Sequence, residues 1–96
     1  MTDEAKGKID RRLARLEGQI RGVRRMVKED IYCMDILTQI SAIRSAVDQI
    51  GAELATSHVE SCILGHGTDS EHEHCKSMSE GELLDELRTT LSRLMR

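Results

Sequence analysis

The longest uninterrupted helical pattern in this chain covers residues 33–64 and reads CMDILTQISAIRSAVDQIGAELATSHVESCIL, with no proline and no cluster of turn residues. Its apolar residues recur in alternating steps of four and three, which is the spacing of one buried stripe on an α-helix. The stripe contains Ile36, Ile40, Ile43, Val47, Ile50 and Leu54. The pattern therefore predicts one long helix whose apolar stripe packs against other helices.

Potential metal ligands extend this stripe at both ends. Cys33 lies one turn before the stripe, His58 lies one turn after it, and Cys62 follows one turn later. Cys33 and His58 are 25 residues apart in the sequence. An unbroken helix would separate them by about 37 Å. Because a metal ion binds thiolate and imidazole ligands at about 2.0 to 2.3 Å, the two residues cannot share an ion along one straight helix.

Two arrangements would bring these ligands together. Either the helix breaks, for which Gly51 is the only weak point, or a second copy packs antiparallel and places its His58 and Cys62 beside this Cys33. The absence of proline argues against a break. Val47 lies near the middle of the stripe, where a two-fold axis would exchange the two ends. These features favour the second copy.

The ligand types indicate which ion such a site would select. Two thiolates and one imidazole suit Cu(I), Zn(II) or iron–sulfur centres, and three donors without an obvious fourth favour low-coordinate Cu(I) over tetrahedral Zn(II). The alternative is structural: Cys33 and Cys62 would be small buried apolar residues and His58 a hydrogen-bonded core histidine. Spacing alone leaves both interpretations open.

The composition indicates one small all-helical domain spanning residues 1–96. The chain is 39% hydrophobic, has one aromatic residue and no proline, and is 32% charged. Such a chain buries only a modest aliphatic core, so we expect it to form oligomers. No signal peptide or long apolar run is visible, so we expect a soluble cytoplasmic protein with reduced cysteines and no membrane partner.

The net charge of -3 hides an uneven distribution. Residues 1–28 hold nine Lys or Arg against four Asp or Glu, a net +5, and residues 29–96 hold five against thirteen, a net -8. The first helix and Arg44 are therefore candidates for contact with DNA phosphates. A solvated basic face, or pairing with the acidic third helix of another subunit, is the commoner fate of such a charge run. No helix-turn-helix signature or aromatic stacking platform is present.

The patterns predict three helices, at about residues 6–28, 32–64 and 79–95. The first carries its own heptad stripe from Ile9 to Val27. A short turn at residues 29–31 predicts an antiparallel hairpin of the first two helices, and two hairpins would form a four-helix bundle. Ser79 and Glu82 form a capping-box pattern at the start of the third helix.

The segment GHGTDSEHEHCKSM at residues 65–78 has the composition of a loop. Its donors for a second metal site are His66, His72, His74 and Cys75. We favour a flexible polar loop, because a metal site there would have to offset the entropy of ordering the segment. No nucleophile elbow, phosphate loop or paired-carboxylate motif is visible, so we expect no enzymatic activity.

The chain resembles the copper-sensitive operon repressor family of bacterial transcriptional repressors in two segments, RLARLEGQIRGVRRMVKEDIYCMDILTQISAIRSAV at residues 12–47 and SHVESC at residues 57–62. The resemblance implies an all-α, three-helix protomer. It also implies an antiparallel four-helix-bundle dimer that assembles into a flat homotetramer. Such a protein would bind operator DNA when metal-free and release it when Cu(I) binds, which derepresses copper-resistance or efflux genes.

The resemblance also implies a ligand set. Cys33, His58 and Cys62 match the copper-sensing pattern, in which Cys33 of one subunit joins His58 and Cys62 of another around Cu(I). Persulfide-sensing relatives lack the histidine, nickel and cobalt sensors use an additional N-terminal histidine, and formaldehyde sensors rely on an N-terminal proline. This chain has His58, no earlier histidine and no proline. Tyr32 and Glu82 match residues that the family places close to the ligands, and Glu82 also belongs to the capping box.

The resemblance implies that the basic face binds DNA and that it recognises the operator largely through the shape of the DNA. The residues it implies are Arg15, Arg21 and Arg44, supported by Lys8, Arg11 and Arg25. Two alternatives stay open. One is a redox sensor of the same fold, in which Cys33 and Cys62 of two subunits form a disulfide or sulfur bridge. The other is a cytosolic copper buffer or chaperone without a DNA role.

Overall fold

A computed structural model describes residues 1–96, and its helical content confirms the predicted all-α class. Four α-helices are present: α1 (Asp3–Lys28), α2 (Cys33–His58), the one-turn α3 (Glu73–Lys76) and α4 (Glu80–Leu94). The path of α2 continues into a π-helical turn, Val59–Ile63. We predicted a continuous helix to residue 64 and a loop up to residue 78, so the π turn and α3 are departures from the sequence-based expectation. None of the helices combines the length and apolar character that crossing a bilayer requires.

The antiparallel hairpin of α1 and α2 is present as predicted. Helix α1 begins earlier than predicted because Thr2 caps it, with its Oγ1 accepting a hydrogen bond from the Ala5 amide at 3.1 Å. It ends at Lys28, and Asp30 in the turn that follows has a φ of 58°. This left-handed conformation helps to reverse the chain between the two helices.

The apolar stripes of α1 and α2 each divide into an inner and an outer edge. The inner edges are buried or half-buried and consist of Ile9, Leu16 and Val23 on α1 and Ile36, Ile43 and Ile50 on α2. The outer edges consist of Leu13, Ile20, Val27, Ile40, Val47 and Leu54, and their residues are between 38% and 60% exposed. The inner edges therefore supply the core of the hairpin, while the outer edges face solvent in the single chain.

The single chain exposes more surface than a compact protein of its size. Its accessible surface is 7364 Å², and only eight of its 96 residues are buried. A compact monomer of 10.8 kDa would expose about 5,500 Å². The chain measures 53 × 28 × 15 Å, so it is long and thin. Apart from Leu54, which lines a cavity with α4, the outer edges lack a second layer of helices.

Helix α4 packs mainly against the π turn and approaches α2 closely at Gly51. It begins at the predicted capping box, in which Ser79 Oγ accepts from the Glu82 amide and Glu82 Oε1 accepts from the Ser79 amide, both at 3.1 Å. Leu83 is completely buried one turn into the helix. Near the other end, Leu94 lies so close to Gly51 that a Cβ there would stand 3.2 Å from Leu94 Cδ2. Helix α4 thus covers the end of α2 that carries His58.

Candidate metal centre

Three potential metal ligands meet where α2 ends. The ligand atoms of His58, Cys62 and Cys75 all lie within 4.8 Å of one another. His58 is half-buried, and the two cysteines are 3% and 4% exposed. One imidazole and two thiols form a donor set that suits soft or borderline ions such as Cu(I) and Zn(II).

A wide helical turn positions two of these ligands. His58 is the last residue of α2, and Cys62 lies in the π turn that follows. A backbone hydrogen bond that spans five residues closes this turn at 2.8 Å. π-helical turns are rare and often occur at functional sites. A Cβ at Gly65 would stand 2.6 Å from the Ser61 carbonyl oxygen, so a glycine is needed where the chain folds back.

Cys75 reaches the group because α3 folds back against the π turn. It clusters with Cys62 and Leu83, and Ile63 and Met78 pack against the same cluster. Burial, followed by the effect of the neighbouring Cys62, raises the pKa of the Cys75 thiol to about 11. The free thiol is therefore protonated at neutral pH, and a metal ion that binds there must displace the proton.

The three histidines of the connecting segment lie outside this group. His66 Nδ1 hydrogen bonds to the buried Glu71 carboxylate, whose other oxygen accepts a backbone N–H at 3.1 Å. The hydrogen bond to His66 is the largest cause that keeps the pKa of Glu71 below its usual value. His72 caps α3 by accepting from the His74 amide at 3.0 Å, and His74 is exposed. The structure thus shows a folded segment where we favoured an open loop, and only Cys75 among its donors joins the ligand group.

Cys33 lies at the opposite end of α2. It is exposed and is the first residue of that helix, 25 residues before His58. This separation corresponds to about 37 Å along the helix axis. One chain therefore brings His58 and Cys62 together but leaves Cys33 apart. The predicted set of Cys33, His58 and Cys62 needs a second chain and stays a prediction.

Two residues that we predicted to lie close to the ligands have other surroundings in the single chain. Tyr32 is the N-cap residue of α2 and is 69% exposed. Glu82 is exposed and bonded to the Ser79 amide. A different glutamate, Glu86, lines a cavity of about 360 Å³ together with His58. A role for Glu82 near the metal stays a prediction, and Glu86 is a neighbour of the site that sequence reasoning did not name.

The predicted DNA-contacting residues lie at separate places on the single chain. Arg15 lines a groove between α1 and α2, and Arg44 lines a groove between α2 and the end of α4. The hairpin end carries a third basic group, which consists of Arg21, Arg24, Arg25 and Lys28. Arg11 is exposed, and Lys8 forms an ion pair with Glu53 of α2 at 3.1 Å. Of the predicted residues, the structure thus groups Arg21 with Arg25, and DNA contact by the whole set stays a prediction.

Cys75 changes what the ligand set can bind. From the sequence we counted three donors without an obvious fourth. The structure places Cys75 beside His58 and Cys62, so Cys33 of a second copy would complete a four-donor set. The number of donors therefore no longer favours Cu(I) over Zn(II).

The fold and the ligand group define a class: a helical-hairpin protein with a soft-metal ligand group at the end of its second helix and an uncovered apolar edge. A family model described as "Metal-sensitive transcriptional repressor" matches residues 5–93. The chain therefore belongs to the metal-sensitive transcriptional repressor family, whose members are regulators and not enzymes. This match confirms the resemblance drawn from the sequence.

Individual relatives are copper sensors by name. The chain is 45% identical over 60 residues to the copper-sensing transcriptional repressor RicR of Mycobacterium tuberculosis, an alignment that covers 62% of either protein. It is 42% identical over 62 residues to the copper-sensing transcriptional repressor CsoR of Bacillus subtilis, covering 65% of this chain and 61% of the relative. Both alignments thus span less than two thirds of the relatives' lengths.

A solved structure resembles the whole chain. The crystal structure of the copper-sensing repressor CsoR with Cu(I) from Geobacillus thermodenitrificans NG80-2 matches with a TM-score of 0.81 and 35% sequence identity. The match covers 100% of this chain and 92% of that chain. The arrangement of the helices is therefore shared along the full length of the chain.

Proposed function

We propose that this protein is a Cu(I)-responsive transcriptional repressor that binds operator DNA when metal-free and releases it when Cu(I) binds. Release would allow copper-resistance or efflux genes to be expressed. The observation that carries the proposal is the pairing of His58 with Cys62 at one end of α2, with an exposed Cys33 at the other. The repressor family, the copper-sensing relatives and the Cu(I)-containing structural neighbour support it.

An antiparallel dimer would complete the Cu(I) site and cover the outer edges. The exposed edge of α2 repeats every seven residues at Cys33, Ile40, Val47 and Leu54. A two-fold axis near Val47 would pair these edges and bring Cys33 of one chain to His58 and Cys62 of the other. The large surface of the single chain supports burial in a four-helix-bundle dimer and, beyond it, a homotetramer.

The proposed site would hold Cu(I) through Cys33 of one chain and through His58 and Cys62 of the other. When bound, Cu(I) supplies a soft centre that accepts two thiolates and one imidazole. Helix α2 and the π turn already hold His58 and Cys62 side by side, so little further ordering is needed at this end. Cys33 supplies the donor that links the two chains.

Helix α4 is in the position to transmit metal binding to the rest of the fold. Leu83 of α4 packs on Cys62, so a movement of the π turn displaces the start of α4. The free N–H of the His58 ring would then engage Glu82, which must first leave the Ser79 amide. Loss of that cap costs about 1 kcal/mol. A thousandfold loss of operator affinity corresponds to about 4 kcal/mol of coupling free energy. The cost of losing the cap is small compared with this value.

The DNA surface in this proposal is built from basic side chains of α1 together with Arg44. Its residues are Arg15, Arg21, Arg44, Lys8, Arg11 and Arg25. Arg24 and Lys28 extend the same charge at the hairpin end. Contacts of this kind neutralise phosphates and position the protein, while operator sequence would be read largely through DNA shape. A cytoplasmic location fits both the DNA partner and the reduced thiols.

A gel-shift titration tests the proposed function. Metal-free protein is mixed anaerobically with the DNA upstream of its own coding sequence at about 50 and 200 mM salt, and Cu(I) is then added. We expect salt-dependent binding that one Cu(I) per chain reverses. Cu(I) binding without DNA binding would indicate a copper buffer. Release on oxidation, combined with weak Cu(I) binding against a chelator, would indicate a redox sensor. Either result would overturn the proposal.

A further inference from the structure

One chain by itself brings three potential metal ligands together at the end of α2. His58, Cys62 and Cys75 have ligand atoms within 4.8 Å of one another. Three donors that each stand about 2.2 Å from a shared ion lie about 3.8 Å apart in a trigonal site. A contraction of about 1 Å would therefore close the group around an ion. The dimer-spanning site proposed above uses only two of these three residues.

We propose that His58, Cys62 and Cys75 bind Cu(I) within a single chain, independently of Cys33. The donor types call for a soft ion, and the choice of Cu(I) among soft ions rests on the proposed function. Both thiols are almost completely buried, so bound metal would be shielded from water and from competing hard ligands. The site would exist before any second copy is present.

The surroundings of Cys75 hold it in place without metal. Helix α3 positions its backbone, and His72 caps that helix through the His74 amide at 3.0 Å. Leu83, which has no exposed surface, packs behind the thiol. The Glu71 carboxylate stabilises the preceding residues through its hydrogen bonds with His66 and the Gly67 amide. A donor that is already ordered loses less entropy on binding than one from an open loop.

The two modes of binding share His58 and Cys62 and differ in the remaining donor. In a single chain that donor is Cys75, and in the dimer Cys33 of a second copy joins or replaces it. Only the second mode links two chains, and in this account release of DNA requires that link in addition to the contact between His58 and Glu82. The intrachain mode therefore holds Cu(I) without triggering release of DNA.

Chelator competition on variants that lack Cys33 isolates the intrachain mode. Cu(I) affinities are measured anaerobically against bathocuproine disulfonate for Cys33→Ser and for Cys33→Ser/Cys75→Val. Valine keeps the buried position apolar and removes the donor. We expect Cys33→Ser to bind one Cu(I) per chain and the double variant to bind about a hundredfold more weakly. X-ray absorption should show two sulfurs and one nitrogen around copper in Cys33→Ser and one sulfur fewer in the double variant.

The matched control is Cys33→Ser/His74→Ala, because His74 is an exposed donor next to Cys75 that lies outside the ligand group. Its Cu(I) affinity should equal that of Cys33→Ser. Circular dichroism checks that each variant folds, and Cys33→Ser/Cys75→Ser repeats the measurement with a smaller side chain. Equal affinities for Cys33→Ser and the folded Cys75 variants would overturn the inference, as would loss of Cu(I) binding in Cys33→Ser. The wild-type gel shift reports separately on the proposed function, so either idea can fail alone.

Discussion

The two ends of α2 differ in how much of the chain covers them. At the N-terminal end, Tyr32 and Cys33 are exposed beside the turn from α1. At the C-terminal end, Cys62 is buried beside Cys75 and the fully buried Leu83. One end therefore holds its potential ligands within the chain, whereas the other exposes a lone thiol.

This difference suggests separate roles for the two ends of α2: the covered C-terminal end binds the ion, and the uncovered N-terminal end makes the response depend on it. Under the proposed function, the covered end supplies a preformed pair of ligands and the uncovered end makes metal binding depend on assembly. Changes at the covered end should affect both stability and copper affinity. Changes at Cys33 should affect the link between chains and leave the fold of each chain intact.

The largest effect is expected for His58→Ala, which removes the only ligand at the covered end that could pass a signal through a ring N–H. The thiols should retain part of the Cu(I) affinity, but the thousandfold weakening of operator binding, about 4 kcal/mol, should be lost. Gel shifts with and without Cu(I) measure the effect. Normal release of DNA by this variant would show that His58 does not transmit the signal.

The next effect concerns the stability of the covered end. Leu83→Ala should lower the free energy of unfolding by about 2 to 5 kcal/mol, because the side chain is completely buried against Cys62 and Cys75. Leu84→Ala is the matched control, since Leu84 is 49% exposed and its loss should change stability by about 0.5 kcal/mol or less. Urea unfolding of both variants gives the comparison. Equal effects would mean that α4 does not seal the ligand group.

A smaller effect is expected at the start of α4. Ser79→Ala removes the hydroxyl that accepts the Glu82 amide at 3.1 Å, and we expect a loss of about 1 kcal/mol. Ser92→Ala, at an exposed position inside the same helix, should be neutral or slightly stabilising because alanine favours helices. Thermal unfolding of the two variants tests the assignment. A neutral Ser79→Ala would argue against the capping box.

The smallest effect is a dependence on acid in the connecting segment. The pKa of Glu71 lies below the ordinary value of 4.5, chiefly because of its hydrogen bond to His66. The ionised carboxylate therefore stabilises the fold above the ordinary pKa, and this contribution is lost as the pH falls through the lowered pKa. The protection of the Gly67 amide against hydrogen exchange, relative to its intrinsic rate at each pH, should fall when the pH is lowered below 4.5. Glu71→Gln should abolish that pH dependence, and Glu73→Gln should preserve it.

The hairpin was predictable because its signals are local. Heptad spacing from Ile9 to Val27 and from Ile36 to Leu54 identifies both long helices, and the pattern of Ser79 and Glu82 identifies the start of the last one. His58 and Cys62 were predictable as neighbours for the same reason, since one helical turn separates them.

The place of Cys75 was not predictable from local signals. Its neighbour Cys62 lies 13 residues earlier, across a segment whose glycines and polar residues are typical of a loop. What brings the two thiols together is tertiary packing on Leu83 and the folding of the segment around Glu71. The π turn was missed because apolar spacing over so few residues does not distinguish it from an α-helix.

Mixed assemblies test the central claim most directly, which is that Cu(I) joins Cys33 of one chain to His58 and Cys62 of another. In this account neither Cys33→Ser nor His58→Ala chains release DNA when Cu(I) is added, but a dimer containing one of each has one complete site that spans the two chains. We predict that the two variants, refolded together and bound to operator DNA, regain release on addition of Cu(I) that neither shows alone. A mixture that stays bound to DNA as firmly as the separate variants would contradict the account.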